Sequence, residues 1–225
     1  MMENYSVIIP VHNGANYISQ ALESILAQSY LPAEIVLVND HCEDDTVAIA
    51  QSTFPGIKIL HATLRGQSAA LNVGVATASS DYITFLDHDD LWPREKSELQ
   101  YEILRRNPEY SAVYSQVVNF SGEIKDAGPS INMGSARVLA AAFFRKSTFD
   151  LVGPFDETIP HHAIVEWWLR SDRTGIKVLE DDHVGLFRRI HESNSGVTHK
   201  VEARSTLFSI LRNEIHRDPT GGTNG

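Results

Sequence analysis

A mostly parallel α/β sheet in a three-layer αβα arrangement, passing into a mixed C-terminal half, is the fold class this sequence predicts. Short apolar runs alternate with helical patterns over the first 110 or so residues, and such alternation builds right-handed βαβ crossovers. The run Tyr82 to Leu86, Tyr-Ile-Thr-Phe-Leu, suits a strand covered on both faces. Beyond Pro108 the pattern changes, and strand-like segments follow one another more closely.

Taken in order, Tyr5 to Pro10 reads as a strand, and Ala15 to Ser29 as a helix with Ile18, Leu22, Ile25 and Leu26 on one face. Glu34 to Val38 is a strand, Asp45 to Ser52 a helix, Lys58 to His61 a short strand, Gln67 to Ala76 a helix and Asp81 to Leu86 a strand. Pro93 to Arg106 continues as a helix that Asn107 and Pro108 end. In the mixed half, strands are expected at Ser111 to Phe120, Arg137 to Arg145, Lys177 to Leu179 and Val184 to His191. Helices are expected at Ser147 to Leu151, Val165 to Arg173 and, amphipathic and terminal, Val201 to His216. One domain over residues 1–217 follows, with a parallel half to about 110 and a mixed half after it. The tail DPTGGTNG offers nothing to bury and is expected to be disordered.

The 225 residues suffice for one well-buried domain, and 42% hydrophobic with 21% charged content is that of a soluble globular protein. A formal net charge of −10 argues against a nucleic-acid surface, so an anionic ligand would need a cation to mediate. Cys42 is the only cysteine, which excludes an internal disulfide and a cysteine-rich zinc site and fits a reducing cytoplasm. No run reaches the roughly 20 apolar residues of a membrane span, and neither an anchor nor a secretion signal is visible.

The segment DYITFLDHDDLWP, Asp81 to Pro93, is the most informative. It delivers Asp87, Asp89 and Asp90 to one strand end, and open α/β sheets bind ligands outside the carboxyl ends of their strands. Crowded carboxylates repel and are usually offset by a divalent cation. The competing reading is an acidic loop that caps the helix near Pro93, with Asp90 as N-cap.

Three ordered blocks, SVIIPVHNGANY from Ser6, EIVLVNDHCEDDT from Glu34 and RGQSAALNVGVATASSDYITFLDHDDLW from Arg65, resemble the successive signatures of family 2 glycosyltransferases with the GT-A fold. The resemblance covers roughly residues 5 to 195 and extends to VGPFDE from Val152 and RIHESNSG from Arg189. It implies transfer of a sugar from a nucleotide diphosphate donor, with inversion at the anomeric carbon, in the EC 2.4 class. Asp40, ending the second strand, can accept from a base N–H, with Pro10, His12 and Asn13 shaping the wall beside it; turn capping is its alternative role. Uridine or deoxythymidine diphosphate sugars are the expected donors. Asp87 and Asp89 match the family's Asp-x-Asp motif. Asp87 would hold the ribose or a metal-bound water, and Asp89 would ligate Mn²⁺ or Mg²⁺ bridging the phosphates. His88 occupies the variable middle position, expected to point away from the cation. His191 resembles a late histidine that completes the metal sphere or touches the diphosphate, with Arg189 adding positive charge; a surface edge strand is the alternative for both. Asn72 and Gly74 fit the helix behind the donor. Leu71 stands where many relatives carry arginine, a contact Arg65 could replace.

The catalytic base departs from the family pattern. An ungapped count back from Trp168, Leu169 and Arg170 puts the usual acidic pair on Ala163 and Ile164, which cannot take a proton. Glu166 is therefore the first candidate base and His162 the second, with His161 beside it; the plain alternative for Glu166 is a pair with Arg170 one turn on. Trp167 and Trp168 could stack on a sugar, or serve as core. The expected partners are a nucleotide-sugar donor and an unidentified acceptor (saccharide, lipid-linked glycan, peptide or small molecule), with a homodimer allowed and nucleic acid excluded. A non-catalytic nucleotide-sugar-binding or scaffold protein is the competing class. A nucleotidyltransferase ranks last, because PVHNGANY lacks a basic, Gly-rich phosphate loop.

Overall fold

The computed structural model describes residues 3–124, 128, 130–131, 137–160, 162–191, 206–210 and 212. Among them the strands are β1 Tyr5–Val11, β2 Glu34–Asn39, β3 Lys58–His61, β4 Tyr82–Phe85, β5 Ala112–Phe120, β6 Ser130–Ile131, β7 Ala142–Arg145 and β8 Val178–Arg189. The helices are α1 Ile18–Leu26, α2 Thr46–Thr53, α3 Gln67–Thr77, α4 Lys96–Arg106, α5 Ser147–Val152 and α6 Ala163–Arg173. One sheet holds all eight strands in the order β3-β2-β1-β4-β7-β5-β6, with β8 paired to β5. β3, β2, β1 and β4 run parallel. β7 joins antiparallel to β4 and to β5, while β8 is parallel to β5.

The parallel half follows from residue type. β1, YSVIIPV, is buried at all seven positions, and five of the six residues of β2 are buried, as strands covered on both faces require. Helix α1 buries Ile18, Ala21, Leu22 and Ile25, the i, i+3, i+4, i+7 stripe its sequence shows. Helix α3 crosses behind β1 so closely that a Cβ on Gly74 would lie 2.4 Å from Ile8 Cγ2. Leu71, on the same helix, is 1% exposed and belongs to the core.

The mixed half differs from the sequence expectation in its details. The two strands expected at Lys177 to Leu179 and Val184 to His191 are one, β8, because the chain absorbs the polar stretch between them as register shifts against β5 around Ser115, Gln116 and Val117. At this irregular point Gly185 lies so near β5 that a Cβ there would sit 2.6 Å from Ser115 Cβ. The strand expected from Arg137 begins only at Ala142, after a 3-10 turn over Leu139–Ala141. Helix α4 starts at Lys96 with Glu95 as N-cap, so Asp90 does not cap it. The terminal helix expected over Val201 to His216 lies largely outside the described residues, of which 206–210 are helical.

In an exposed helix interior, replacing glycine by alanine gains about 1 kcal/mol. At Gly74 the approach of Ile8 reverses the sign, since overpacking a filled core costs about 1–3 kcal/mol. Urea denaturation of Gly74→Ala is expected to show a lower midpoint than the parent chain, and a raised midpoint would mean that β1 and α3 can part without cost.

Candidate active site

The site is assembled at the carboxyl ends of β1, β2 and β4, with the end of β8 laid across it. β1 lies between the other two and holds both loops by backbone: Val11 O accepts from the Asp40 amide at 2.8 Å, and Ile8 O accepts from the Leu86 amide at 3.1 Å. Asp40 therefore leaves the sheet beside the β1 loop, and Asp87 leaves from the other side of the same strand.

Asp40 is 7% exposed. Both its carboxylate oxygens accept from the Gly66 amide, each at 3.0 Å, and Oδ1 also lies 3.2 Å from His41 Nδ1. A carboxylate only accepts, so His41 Nδ1 carries the proton. Asp40 O accepts from His12 Nδ1 at 2.7 Å. His12 Nε2 is then the acceptor that faces the Asn13 amide at 3.3 Å. Asn13 Oδ1 in turn accepts from the Glu43 amide at 2.8 Å. His12, Asn13, Asp40 and His41 are thus one hydrogen-bonded wall, and Pro10 contributes buried backbone to the strand beneath it.

The turn after β4 is crowded with negative charge. Burial, then the neighbouring Asp89 carboxylate, pushes the Asp87 carboxyl up to about 6, against the opposing pull of Arg188 and the Gln67 amide. Asp90 is 3% exposed. Burial, followed by Asp87 and Asp89, holds its carboxyl well above the ordinary carboxylate range, although it accepts from the Arg189 amide at 2.8 Å. That bond shows what Asp90 does in place of helix capping: it ties β8 to the turn, beside the bridge between Leu91 and Phe187. His88 packs its ring on Gly14, where a Cβ would stand 2.6 Å from Cδ2. Burial holds its imidazole below the usual range despite the nearby Asp89.

His191 reaches the same turn, with Nε2 2.9 Å from Asp89 Oδ2 and its ring 5.0 Å from that of Tyr17. Arg189 is held otherwise than expected: Nε donates to Asp89 O at 3.0 Å and Nη2 to Gln20 Oε1 at 2.7 Å, with the guanidinium between the rings of Tyr17 and Phe120. It braces the turn. Arg188 is the arginine whose charge acts on Asp87 and Asp90, and the RRIH run did not distinguish the two.

Two other expected site residues are committed to structure. The Asn72 amide group donates to Phe155 O at 2.9 Å and to Glu157 Oε1 at 2.7 Å, while its oxygen accepts from the Phe155 amide at 2.9 Å. Asn72 therefore pins the loop after α5 and has no donor left for a nucleotide. Both Glu166 oxygens are taken by Arg170, each at 3.1 Å, and the same guanidinium donates to Val152 O and Pro154 O. That clamp is the ion pair with Arg170 one turn on that the sequence offered as the alternative for Glu166. Trp167 and Trp168 are 0% and 1% exposed, so both belong to the core and neither can stack on a sugar.

His162 precedes α6 in the left-handed region, φ 65° and ψ 17°. No hydrogen bond to its ring is recorded among the described residues, and its carbonyl accepts from the Glu166 amide at 3.0 Å. His161 lies outside the described residues. Arg65, with a side chain 63% exposed, meets Glu43 at 3.5 Å. The contributors that sequence reasoning missed are Gly66, Gln67, His41 and Arg188. Gly66 and Gln67 were visible only as the RGQS that opens a helix.

The model of Glycosyl transferase family 2 matches residues 6–170. The chain belongs to glycosyl transferase family 2. Membership makes it a transferase. Within the family, an uncharacterized glycosyltransferase of Rickettsia bellii is 41% identical over 92% of this chain, which spans 33% of that protein. One of Nostoc sp. is 38% identical over 95% of this chain and 74% of its own length. Among solved structures, S. aureus TarS 1-349 in complex with UDP-GlcNAc matches with a TM-score of 0.78 at 16% identity, covering 96% of this chain and 68% of that one. A longer TarS structure matches over 45% of its length. This likeness establishes the GT-A-like fold class. The chain thus spans about a third to three quarters of the proteins it matches. No helix among the described residues is long and apolar enough to cross a membrane.

A carboxyl whose folded pKa exceeds its unfolded value adds stability that is complete below about pH 4 and is lost as the pH rises through the folded value, here about 6 for Asp87. Thermal unfolding of chelator-treated protein should show that decline, and Asp87→Asn should flatten it. An identical slope in the variant would mean that Asp87 is not crowded.

Proposed function

We propose that this family 2 enzyme transfers a sugar from a UDP- or dTDP-linked donor to an acceptor hydroxyl with inversion, assisted by Mn²⁺ or Mg²⁺. The observation that carries the reading is the convergence of Asp40 at the end of β2 with Asp87, Asp89 and His191 around the end of β4. Binding of UDP and UDP-GlcNAc by TarS 1-349, whose fold is shared, supports that donor class.

Asp89 Oδ2 and His191 Nε2 are hydrogen-bonded to each other at 2.9 Å, and the described residues hold no group of three His, Cys, Asp or Glu able to enclose a metal. A carboxylate only accepts, so His191 Nε2 carries the proton in this arrangement, and an ion held by Asp89 would take its other positions from water and diphosphate oxygens, as ions that dehydrate reluctantly require. When bound, the ion would offset negative charge on the leaving diphosphate. Asp40 would accept the N3–H of a pyrimidine, and Asp87 would hold the ribose or a metal-bound water.

With Glu166 committed to Arg170, His162 is the base this reading retains. Left-handed backbone at a non-glycine residue costs about 1–3 kcal/mol and collects at functional sites. In the transfer, the acceptor oxygen bonds to the anomeric carbon while the bond from that carbon to the diphosphate oxygen breaks. The nucleoside diphosphate leaves with the electron pair, and the acceptor's proton passes to His162. The alternative, a nucleotide-sugar-binding protein without catalysis, is favoured by Ala163 and Ile164 standing where relatives carry acids.

Calorimetry should find UDP binding strong with Mn²⁺ and weak with excess chelator, with Asp89→Asn removing the difference; equal binding in both conditions would refute the metal assignment. Asp40→Ala should cost about 1–3 kcal/mol of UDP affinity and abolish preference over GDP. His162→Ala should lower transfer by about 10²–10⁴ without changing UDP affinity. A silent His162→Ala, with no donor turned over by the parent chain, would leave the non-catalytic reading standing.

A further inference from the structure

Three consecutive residues at the start of α3 reach three different carboxylates. Arg65 Nη2 lies 3.5 Å from Glu43 Oε1, the Gly66 amide donates to both oxygens of Asp40, and Gln67 Nε2 donates to Asp87 Oδ1 at 3.3 Å. These carboxylates come from the loop after β2, the end of β2 and the end of β4. The Arg65 contact is exposed on both sides and weak in water. The other two are made by the backbone and the side chain of neighbouring residues, so the position of one constrains the other.

The backbone is shaped for the task. Gly66 has φ 128° and ψ 150°, a region that essentially only glycine adopts. A Cβ on Gly66 would meet nothing within 4 Å, so packing does not call for glycine there. The conformation aims the amide at Asp40 while α3 begins at the next residue and carries the Gln67 side chain toward Asp87.

We propose that Gly66 and Gln67 form one positioning strap that holds the base-reading carboxylate and the first carboxylate of the Asp-x-Asp turn in fixed relation, so that a nucleotide is gripped at its base and its diphosphate together. The inference rests on the proposed nucleotide-sugar site and assigns two positioning residues to it. Gln67 acts through Asp87: as a neutral donor it orients that carboxylate without adding charge to a turn already rich in it. Gly66 acts through Asp40: its N–H occupies the edge of the carboxylate turned to α3 and leaves the remaining lone pairs for the base.

The test separates the two ends of the nucleotide. Calorimetry is run with uridine lacking phosphate, without metal, and with UDP, with and without Mn²⁺, on the parent chain, Gln67→Met and Gly66→Ala. Methionine keeps the length and helix preference of glutamine but cannot donate. With Asp87 taken as the holder of the metal-bound water, Gln67→Met is expected to leave uridine affinity unchanged and to reduce the Mn²⁺-dependent gain in UDP affinity by about five- to tenfold, the worth of one ordinary hydrogen bond. Gly66→Ala is expected to weaken uridine as well as UDP, with thermal unfolding confirming that the variant is folded. Full retention of the Mn²⁺-dependent gain in Gln67→Met, or unchanged uridine affinity in folded Gly66→Ala, overturns the strap. A parent chain that binds UDP no better with Mn²⁺ than with chelator overturns the metal-assisted reading itself, and the role of Gln67 with it.

Discussion

The pairing of β1 with β2 on one side and β4 on the other sets the spacing of the whole site. Parallel strands leave the sheet in the same direction, so the loops after β1, β2 and β4 must emerge together, and the hydrogen bonds that the Asp40 and Leu86 amides donate to Val11 O and Ile8 O carry the alignment one residue beyond the strands. Burial, and then the repulsion within the turn, raises the proton affinity of Asp87 and Asp90, partly met by Arg188, by the Arg189 amide and by Gln67. A cluster under that constraint costs stability when its carboxyls ionise.

Lys96 is 2% exposed, and its ammonium group donates to Thr84 Oγ1 at 2.9 Å and to Gln100 Oε1 at 2.8 Å, 4.2 Å from the centre of the Trp92 ring. Burial holds that amine well below its ordinary range. Gln100 passes the network on to Ser115 Oγ at 2.7 Å, and Ser115 to Asp181 Oδ2 at 3.1 Å. This chain of bonds joins β4, α4, β5 and β8 beneath the site, so the two halves of the sheet are fastened by polar contacts as well as by apolar packing.

Among the described residues, the non-glycine positions with positive φ are Asn13, His41 and His162, and each follows a strand of the site or precedes α6. Asn13 and His41 are held by the wall around Asp40. His162 is held by the start of α6, which the stacking of Trp167 on Phe149, 5.1 Å between centroids, fixes against the core. The same burial of Trp167 and Trp168 places Glu166 and Arg170 on the adjoining face, one turn apart, where they clasp each other and the loop at Val152 to Pro154.

By itself the sequence determined the parallel half, because continuous apolar strands and striped helices such as β1 and α1 are short-range patterns whose period shows in the residues. It also determined that Asp40 and the Asp87 to Asp90 turn lie at strand ends, since the position of a residue relative to its own strand is local information. The tertiary structure alone decided who holds whom. Asn72, Glu166 and Arg189 carry the same polar groups whether they bind a ligand or a neighbouring loop, and only the placement of Phe155, Arg170 and Asp89 O against them showed the latter. Gly66 and Gln67 reach Asp40 and Asp87 across 26 and 20 residues, a separation over which residue pattern carries no signal, because side-chain pairing at that range is set by the sheet order that brings the strand ends together.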